Sequence, residues 1–264
     1  MRRRILAALS VAALTLAGGT AAHAATHGVA KPTVVLVHGA WADSSSWDGV
    51  VERLLHDGYP VGVFATPLRS LSGDSAALRD YLAAVSGPIV LVGHSYGGAV
   101  ITNAATGNTA VQALVYVDAF APAAGVPVIA LPGPDSALTD PAILQFVPAG
   151  APTPTTDLYI DKALFPAVFA NDLPASKGRI LAVTQRPVTY GALTEPSGPP
   201  AWQSIPSWYE VGTKDKVIPA AVQKQMATAI GAHVRSAATG HLPMVSHPAD
   251  VTATIESAAK GTTK

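Results

Sequence analysis

The chain has 264 residues, 49% of them hydrophobic and 13% charged, enough for one large core or at most two domains. Its 17 basic and 17 acidic residues cancel, so no basic field is available to draw in nucleic acid. The absence of cysteine excludes a thiol nucleophile and thiolate metal sites, and an exported form must be stable without disulfides.

The first segment reads as an address rather than as part of the fold. Arg2, Arg3 and Arg4 precede an apolar run from Ile5 to Ala17, and Ala22-His23-Ala24 forms a small-x-small cleavage pattern. Together these describe a secretory signal peptide over residues 1–24. The run falls short of the ~20 residues that a bilayer span needs, so stable membrane insertion is not expected. After cleavage near Ala24 the expected location is extracellular or periplasmic.

Strands and helices then alternate. Thr33–Val37 is a short β-branched run, followed by helical spacing over Ser46–Leu55. Val61–Ala65 is the next strand and Ser75–Val85 the next helix. Ile89–Val92 is a third strand leading to a helix over Gly98–Ala105, and Ala113–Val117 is a fourth strand. Short, wholly apolar strands between helices predict a doubly wound, mostly parallel sheet covered on both faces, an α/β fold. The alternation breaks between Ala119 and Ala201, where 14 of the 22 prolines lie among clusters such as Leu158-Tyr159 and Phe165–Phe169. So long a stretch does not suit a structureless loop, and its aromatics argue against a linker; a small, partly helical inserted lid is expected at 119–201. The sheet pattern resumes at Ser207–Val211, followed by a helix over Pro219–Ile230, a strand at Val234–Ala237 and a terminal helix at Ala249–Ala259. The expected core is therefore 25–118 and 202–264.

"IVLVGHSYGGAVI", from Ile89 to Ile101, sets one serine between glycines where a strand meets a helix. So tight a turn forces its middle residue into a strained conformation that points the side chain out of the sheet. Glycines on either side remove the Cβ clashes that would forbid the corner. The helix N-terminus behind the serine favours developing negative charge. Ser95 is thus a candidate nucleophile, provided that the chain supplies a base, an acid and an oxyanion site.

Of the eight histidines, His23 and His27 lie in or just after the leader, and His38 and His94 belong to glycine turns with a structural role. His56 and His233 fall on surface positions. His241, in "ATGHLPMVSHP" just past the last strand, is the best base, because open α/β sheets build their sites at the carboxyl ends of strands. His247, next to Pro248, starts the terminal helix. Two aspartates compete as the acid: Asp215 in "YEVGTKDKVIP" and Asp118 at the end of "ALVYVDAF". Both keep the order Ser…Asp…His. Asp215 is preferred because its Gly-Thr-Lys-Asp turn has little other reason to be acidic, which leaves Asp118 a structural or pocket role. An oxyanion needs two backbone donors aimed at one point. Tyr96 N–H, directly after the serine, is one, and Ala40 N–H, in the turn of "VVLVHGAW", is the other.

With "LVHGAW", "GHSYGG", "VGTKDKVIP" and "GHLPMVSHP" in one sequence, the chain resembles the α/β-hydrolase-fold serine hydrolases, close to the small esterases and hydroxynitrile lyases. The likeness covers nearly everything after the leader. It implies Ser95 as nucleophile, His241 as base, Asp215 as acid, and Ala40 and Tyr96 as oxyanion donors. It also implies a lid over the substrate pocket and a reaction that needs no cofactor; no metal-ligand spacing stands in the sequence.

Departures from the relatives narrow the reading. Dehalogenase and epoxide-hydrolase relatives carry an aspartate at the elbow, where this chain has Ser95. Hydroxynitrile-lyase relatives place a threonine after the first-strand histidine and a lysine after the catalytic one, where this chain has Gly39 and Leu242. Without an ammonium to receive cyanide, lyase chemistry lacks its charge partner. A perhydrolase side activity and a non-catalytic, small-molecule-binding homologue stand as alternatives. The expected pocket wall is apolar, with Trp41, Phe120, Tyr159, Phe165, Leu242 and Met244, and with Tyr96 beside them. No lysine or arginine is placed to pair with a carboxylate. The expected substrate is therefore a small, neutral, hydrophobic carboxylic ester.

Overall fold

The computed structural model describes residues 31–262, so the expected leader over 1–24 lies outside the described residues. From Lys31 onward the chain forms one compact unit. The first half runs β1 (Thr33–Val37), α1 (Asp48–His56), β2 (Val61–Phe64), α2 (Leu71–Ala83), β3 (Ile89–His94), α3 (Tyr96–Ala104) and β4 (Val111–Val117). Every residue of β3 is buried, as are all but the first of β1. A strand covered on both faces has no polar side to alternate with, which is why these runs are wholly apolar.

Between β4 and the next strand of the main sheet lie β5 (Leu144–Val147), β6 (Asp157–Ile160), α4 (Phe165–Val168), α5 (Ala175–Thr184), β7 (Val188–Thr189) and α6 (Tyr190–Thr194). The helical character expected of this stretch is only half of it. β5, β6 and β7 form a separate antiparallel sheet that the proline-rich sequence did not announce.

The main sheet resumes with β8 (Ser207–Gly212), α7 (Ala220–Ala229) and β9 (His233–Ala237), and the chain closes with α8 (Pro243–Ser246) and α9 (Pro248–Gly261). Its order is β2-β1-β3-β4-β8-β9, and each adjacent pair is parallel. β9 is the exposed edge, where Arg235 bonds Asp250 at 2.8 Å; charge on an edge strand blocks unwanted pairing. Helices cover the sheet, with α1 packed on α9 and α2 on α3. Among the described residues no helix is long and apolar enough to cross a membrane.

Strand order reverses between β1 and β3. In such sheets the crevice outside the carboxyl ends at the reversal is where ligands bind. Val37, ending β1, pairs with Gly93 of β3, so the His-Gly turn and the serine elbow emerge side by side.

Candidate functional site

Ser95 joins β3 to α3 with φ 51° and ψ −124°. A non-glycine residue held there costs about 1–3 kcal/mol and persists only when its surroundings enforce it. Ser95 O accepts from Gly98 N at 2.9 Å and Phe120 N at 3.1 Å, which locks the corner. An added Cβ at Gly93 would stand 2.6 Å from Gly97 O, and one at Gly97 would stand 2.5 Å from Val37 O. The flanking glycines are therefore required by close backbone approach.

His241, between β9 and α8, places Nε2 3.0 Å from Ser95 Oγ and Nδ1 2.8 Å from Asp215 Oδ2. A carboxylate only accepts, so Nδ1 carries the hydrogen and Nε2 turns its lone pair to the serine hydroxyl. Asp215 Oδ1 accepts from Val217 N at 2.7 Å and Ile218 N at 3.0 Å, the turn an aspartate makes with amides two and three residues on. Gln223, buried on α7, donates to Oδ2 from Nε2 at 2.8 Å. These three residues form one buried, hydrogen-bonded line that can take a proton from the serine hydroxyl as it attacks an electrophile.

His94 Nε2 lies 2.7 Å from His241 O, and since a carbonyl only accepts, His94 is the donor. Burial, and then the neighbouring His241, hold its pKa well below the ordinary imidazole value, so it stays neutral. His38 is also structural. Thr66 N donates to its Nε2 at 3.0 Å, and burial lowers its pKa to about 4.

Asp118 follows β4 with φ 42°, fully buried. Its Oδ1 accepts from Gly212 N at 2.7 Å, whereas Oδ2 has no partner among the described residues. Burial first, and then the charge of Asp215, push this carboxyl well above the ordinary carboxylate range. Asp118, Asp215 and His241 each offer a ligand atom, all within 4.8 Å of one another. They suit a metal poorly: Asp215 and His241 are engaged with each other, and burial favours the uncharged form of Asp118, a weak ligand.

The turn after β1 abuts the elbow; an added Cβ at Gly39 would stand 2.7 Å from Ser95 Cβ. Ala40 N–H and Tyr96 N–H have no backbone acceptor among the described residues. The Tyr96 side chain turns away and donates its hydroxyl to Asp74 Oδ2 at 2.8 Å.

A cavity of about 150 Å³ opens onto Ser95 and Ala40. Trp41 and Phe120 line it, together with Val128, Leu138, Leu144, Leu158, Leu193 and Val217. Trp41 is fixed as a wall: its N donates to Arg186 O at 3.0 Å and its Nε1 to Leu158 O at 2.9 Å. Five residues expected in this wall lie elsewhere, the first being Tyr96 with its hydroxyl on Asp74. Phe165 and Leu242 line a smaller space of about 20 Å³ that shares Trp41. Tyr159 is only half-buried, because alternation along β6 turns Leu158 inward in its place. Met244 is fully buried within α8 and lines neither space.

Sequence reasoning missed Gln223, although a signal was present. Gln223, Met226 and Ala227 are the buried positions of α7, spaced as one helical face, so a glutamine there is a buried amide in need of partners.

Residues 34–254 match the alpha/beta hydrolase family. The chain is 28% identical over 250 residues to the alpha/beta hydrolase nvfD of Aspergillus novofumigatus (strain IBT 16806), covering 87% of this chain and 97% of that protein. It is 35% identical over 113 residues to a carbendazim hydrolyzing esterase of Nocardioides sp. (strain SG-4G), a match that spans 37% of this chain and only 46% of that protein. Among solved structures, a pyrethroid hydrolase from Sphingobium faniae JZ-2 aligns with a TM-score of 0.72 at 23% identity, covering 87% of this chain and 97% of that one. An extracellular alpha/beta-hydrolase from a Paenibacillus species aligns at 0.74 and 20% identity, covering 86% and 98%. The family match runs through the parallel sheet and the serine elbow of this chain, and the chain belongs to the alpha/beta hydrolase family.

Proposed function

We propose that this protein hydrolyses small, neutral, hydrophobic carboxylic esters through an acyl-enzyme, with Ser95, His241 and Asp215 as its triad. The observation that carries the reading is the line from Asp215 through His241 to Ser95 Oγ, ending at an apolar cavity. Ser95 Oγ attacks the ester carbonyl carbon while its proton passes to His241 Nε2, and Asp215 stays ionised to stabilise the imidazolium. The oxyanion takes hydrogen bonds from Ala40 N–H and Tyr96 N–H at the N-terminus of α3. As the C–O bond breaks, His241 returns the proton to the departing alkoxide, which leaves as the alcohol. Water then gives a proton to His241 and attacks the acyl carbon; Ser95 recovers its proton and a carboxylic acid departs. These steps balance without a cofactor.

Chemistry of the wall supports a neutral substrate. Among the described residues no charged side chain lines the cavity, and the hydroxyl of Thr139 at its edge already donates to Ser136 O at 2.7 Å. A charged group entering there would lose its water and gain no partner. Lys214 and Lys216 are exposed, and Lys216 Nζ donates to Ala167 O at 3.0 Å; the neighbour of His241 is the buried Leu242. A departing cyanide would find no cation among the described residues that line the cavity, which favours hydrolysis over lyase chemistry. Relatives named as an esterase and as a hydrolase agree with this reading. In the same reading residues 119–201 cap the pocket, and residues 1–24 export the chain.

The test is stoichiometric labelling by a fluorophosphonate together with turnover of p-nitrophenyl esters. Ser95→Ala should abolish labelling and lower turnover by ~10⁴-fold or more while leaving the fold intact. A folded wild-type protein that binds esters but neither labels nor turns them over would be a binding homologue. Enzymatic cyanide release from mandelonitrile would move the chemistry to the lyases.

A further inference from the structure

The turn between α4 and α5 belongs to the inserted segment, yet it grips the two loops that carry His241 and Asp215. Asn171 Nδ2 donates to Lys214 O, the carbonyl joined to Asp215, at 3.0 Å. Asp172 Oδ2 accepts from Gly240 N, adjacent in the chain to His241, at 2.7 Å, and from Ser246 Oγ of α8 at 2.7 Å. His247 Nδ1 stands 3.8 Å from the same oxygen. The fit is close: an added Cβ at Gly240 would lie 2.4 Å from Asn171 Oδ1 and 2.8 Å from Asp172 Oδ1. Phe169, in the same stretch, sets its ring 4.9 Å from the His241 ring at 63°. No hydrogen bond joins Asp172 to Ser95 or to the His241 imidazole.

We infer that Asp172 is a positioning residue: by holding Gly240 N–H from the inserted segment, it fixes the place of the His241 imidazole between Asp215 and Ser95. The inference rests on the triad reading above. Residues 238–242 have no regular structure, and a glycine there leaves the backbone otherwise free. His94 holds the carbonyl of His241; Asp172 holds the amide before it. The side chain of Asp172 is only 9% exposed, so its bonds to an amide and a hydroxyl are shielded from water. A base displaced by about 1 Å loses on the order of 100-fold in rate, which is the scale at stake.

The experiment compares wild type with Asp172→Ala, Asp172→Asn and Ser246→Ala on p-nitrophenyl butyrate. Each protein is titrated with a fluorophosphonate so that kcat refers to active sites. Asp172→Ala should lower kcat per site by about 10- to 100-fold with KM changed less than about twofold. Asp172→Asn should recover to within about threefold of wild type, because its amide oxygen still accepts from Gly240 N–H. Ser246→Ala should stay near wild type, which isolates the Gly240 bond as the one that matters. If Asp172→Ala yields no folded protein, Asp172→Ser carries the same expectation, its hydroxyl being too short to reach Gly240 N. A purely structural role would lower the melting temperature or the number of titratable sites and leave kcat per site unchanged; that result overturns the inference, as does a loss that Asn fails to rescue. If wild type itself neither labels nor turns over, the triad reading falls and takes this inference with it.

Discussion

Asp118 follows β4 and Asp215 follows β8, adjacent strands of one parallel sheet, and both carboxyls are buried beside His241. Asp215 faces Val217 N–H, Ile218 N–H, the Gln223 amide and the His241 ring. Asp118 faces one amide, Gly212 N–H, and its second oxygen has no partner among the described residues. Burial penalises a charge only until donors replace the lost water. The turn after Asp215 folds two amides back onto the carboxylate and α7 brings a third donor. At Asp118 the chain turns through φ 42° and leaves Oδ2 bare. Reaching the carboxyl edge of the sheet is thus not enough to make an acid useful to His241; the donors at each strand end decide it.

The sharpest way to break that contrast is to neutralise each carboxyl without changing its shape. Asp215→Asn should lower kcat by ~10⁴-fold, since an amide can present its NH₂ to the imidazole and favour the wrong tautomer. Asp118→Asn should stay within about threefold, because burial favours the uncharged carboxyl that asparagine imitates. Steady-state turnover of a p-nitrophenyl ester by both variants ranks them. The reverse ranking would move the acid to β4 and undo the comparison.

A smaller effect sharpens it from the donor side. Gln223→Leu removes one donor from Asp215 while filling the same buried space. A hydrogen bond to a charged group contributes about 1.5–3 kcal/mol, and each 1.36 kcal/mol is a factor of ten, so kcat should fall by about 10- to 100-fold. The same measurement on Gln223→Glu should show a larger loss, because a second carboxylate would repel the first. If both variants turned over like wild type, the donors around Asp215 would not be what separates it from Asp118.

Much of this arrangement was legible because its signals are local. β1 coincides with its expected span, since a strand buried on both faces is an unbroken apolar run. β3 runs on past Val92 because Gly93 and His94 continue the ladder with Tyr116 and Val117. α2 begins at Leu71 rather than Ser75, its start hidden in a polar stretch where Ser70 caps Gly73 N. The serine elbow and the loops of Asp215 and His241 are likewise short motifs. What could not be read depends on partners distant in sequence. β5 and β6 have four residues each and β7 two, and Leu158 pairs with Val188 across a long gap. No periodicity survives in pieces so short, so the wall supplied by Leu144, Leu158 and Leu193 stayed invisible while Tyr159 looked the better candidate. Asp172 was equally unreadable, since its meaning comes from Gly240, far along the chain.

The smallest expected effect is on stability, and it reports directly on which aspartate carries a proton. Burial, and then Asp215, raise the Asp118 carboxyl above its ordinary value of 3.8 in the folded state. Between 3.8 and the raised folded value, the folded protein holds a proton that the unfolded chain has released. Stability therefore falls as pH rises through that window, and below it Asp118 adds no pH dependence. Asp118→Asn cannot titrate. Its amide oxygen can still accept from Gly212 N–H, and asparagine tolerates a positive φ better than most residues. The melting temperature of the variant relative to wild type should thus rise with pH through that window, starting from about 3.8. Thermal unfolding over a pH series from that value upward measures it, with the shift between pH values mattering rather than the offset at any one. A difference that stayed flat, or that shrank as pH rose, would mean that burial does not raise the Asp118 carboxyl, and the contrast between the two aspartates would fail.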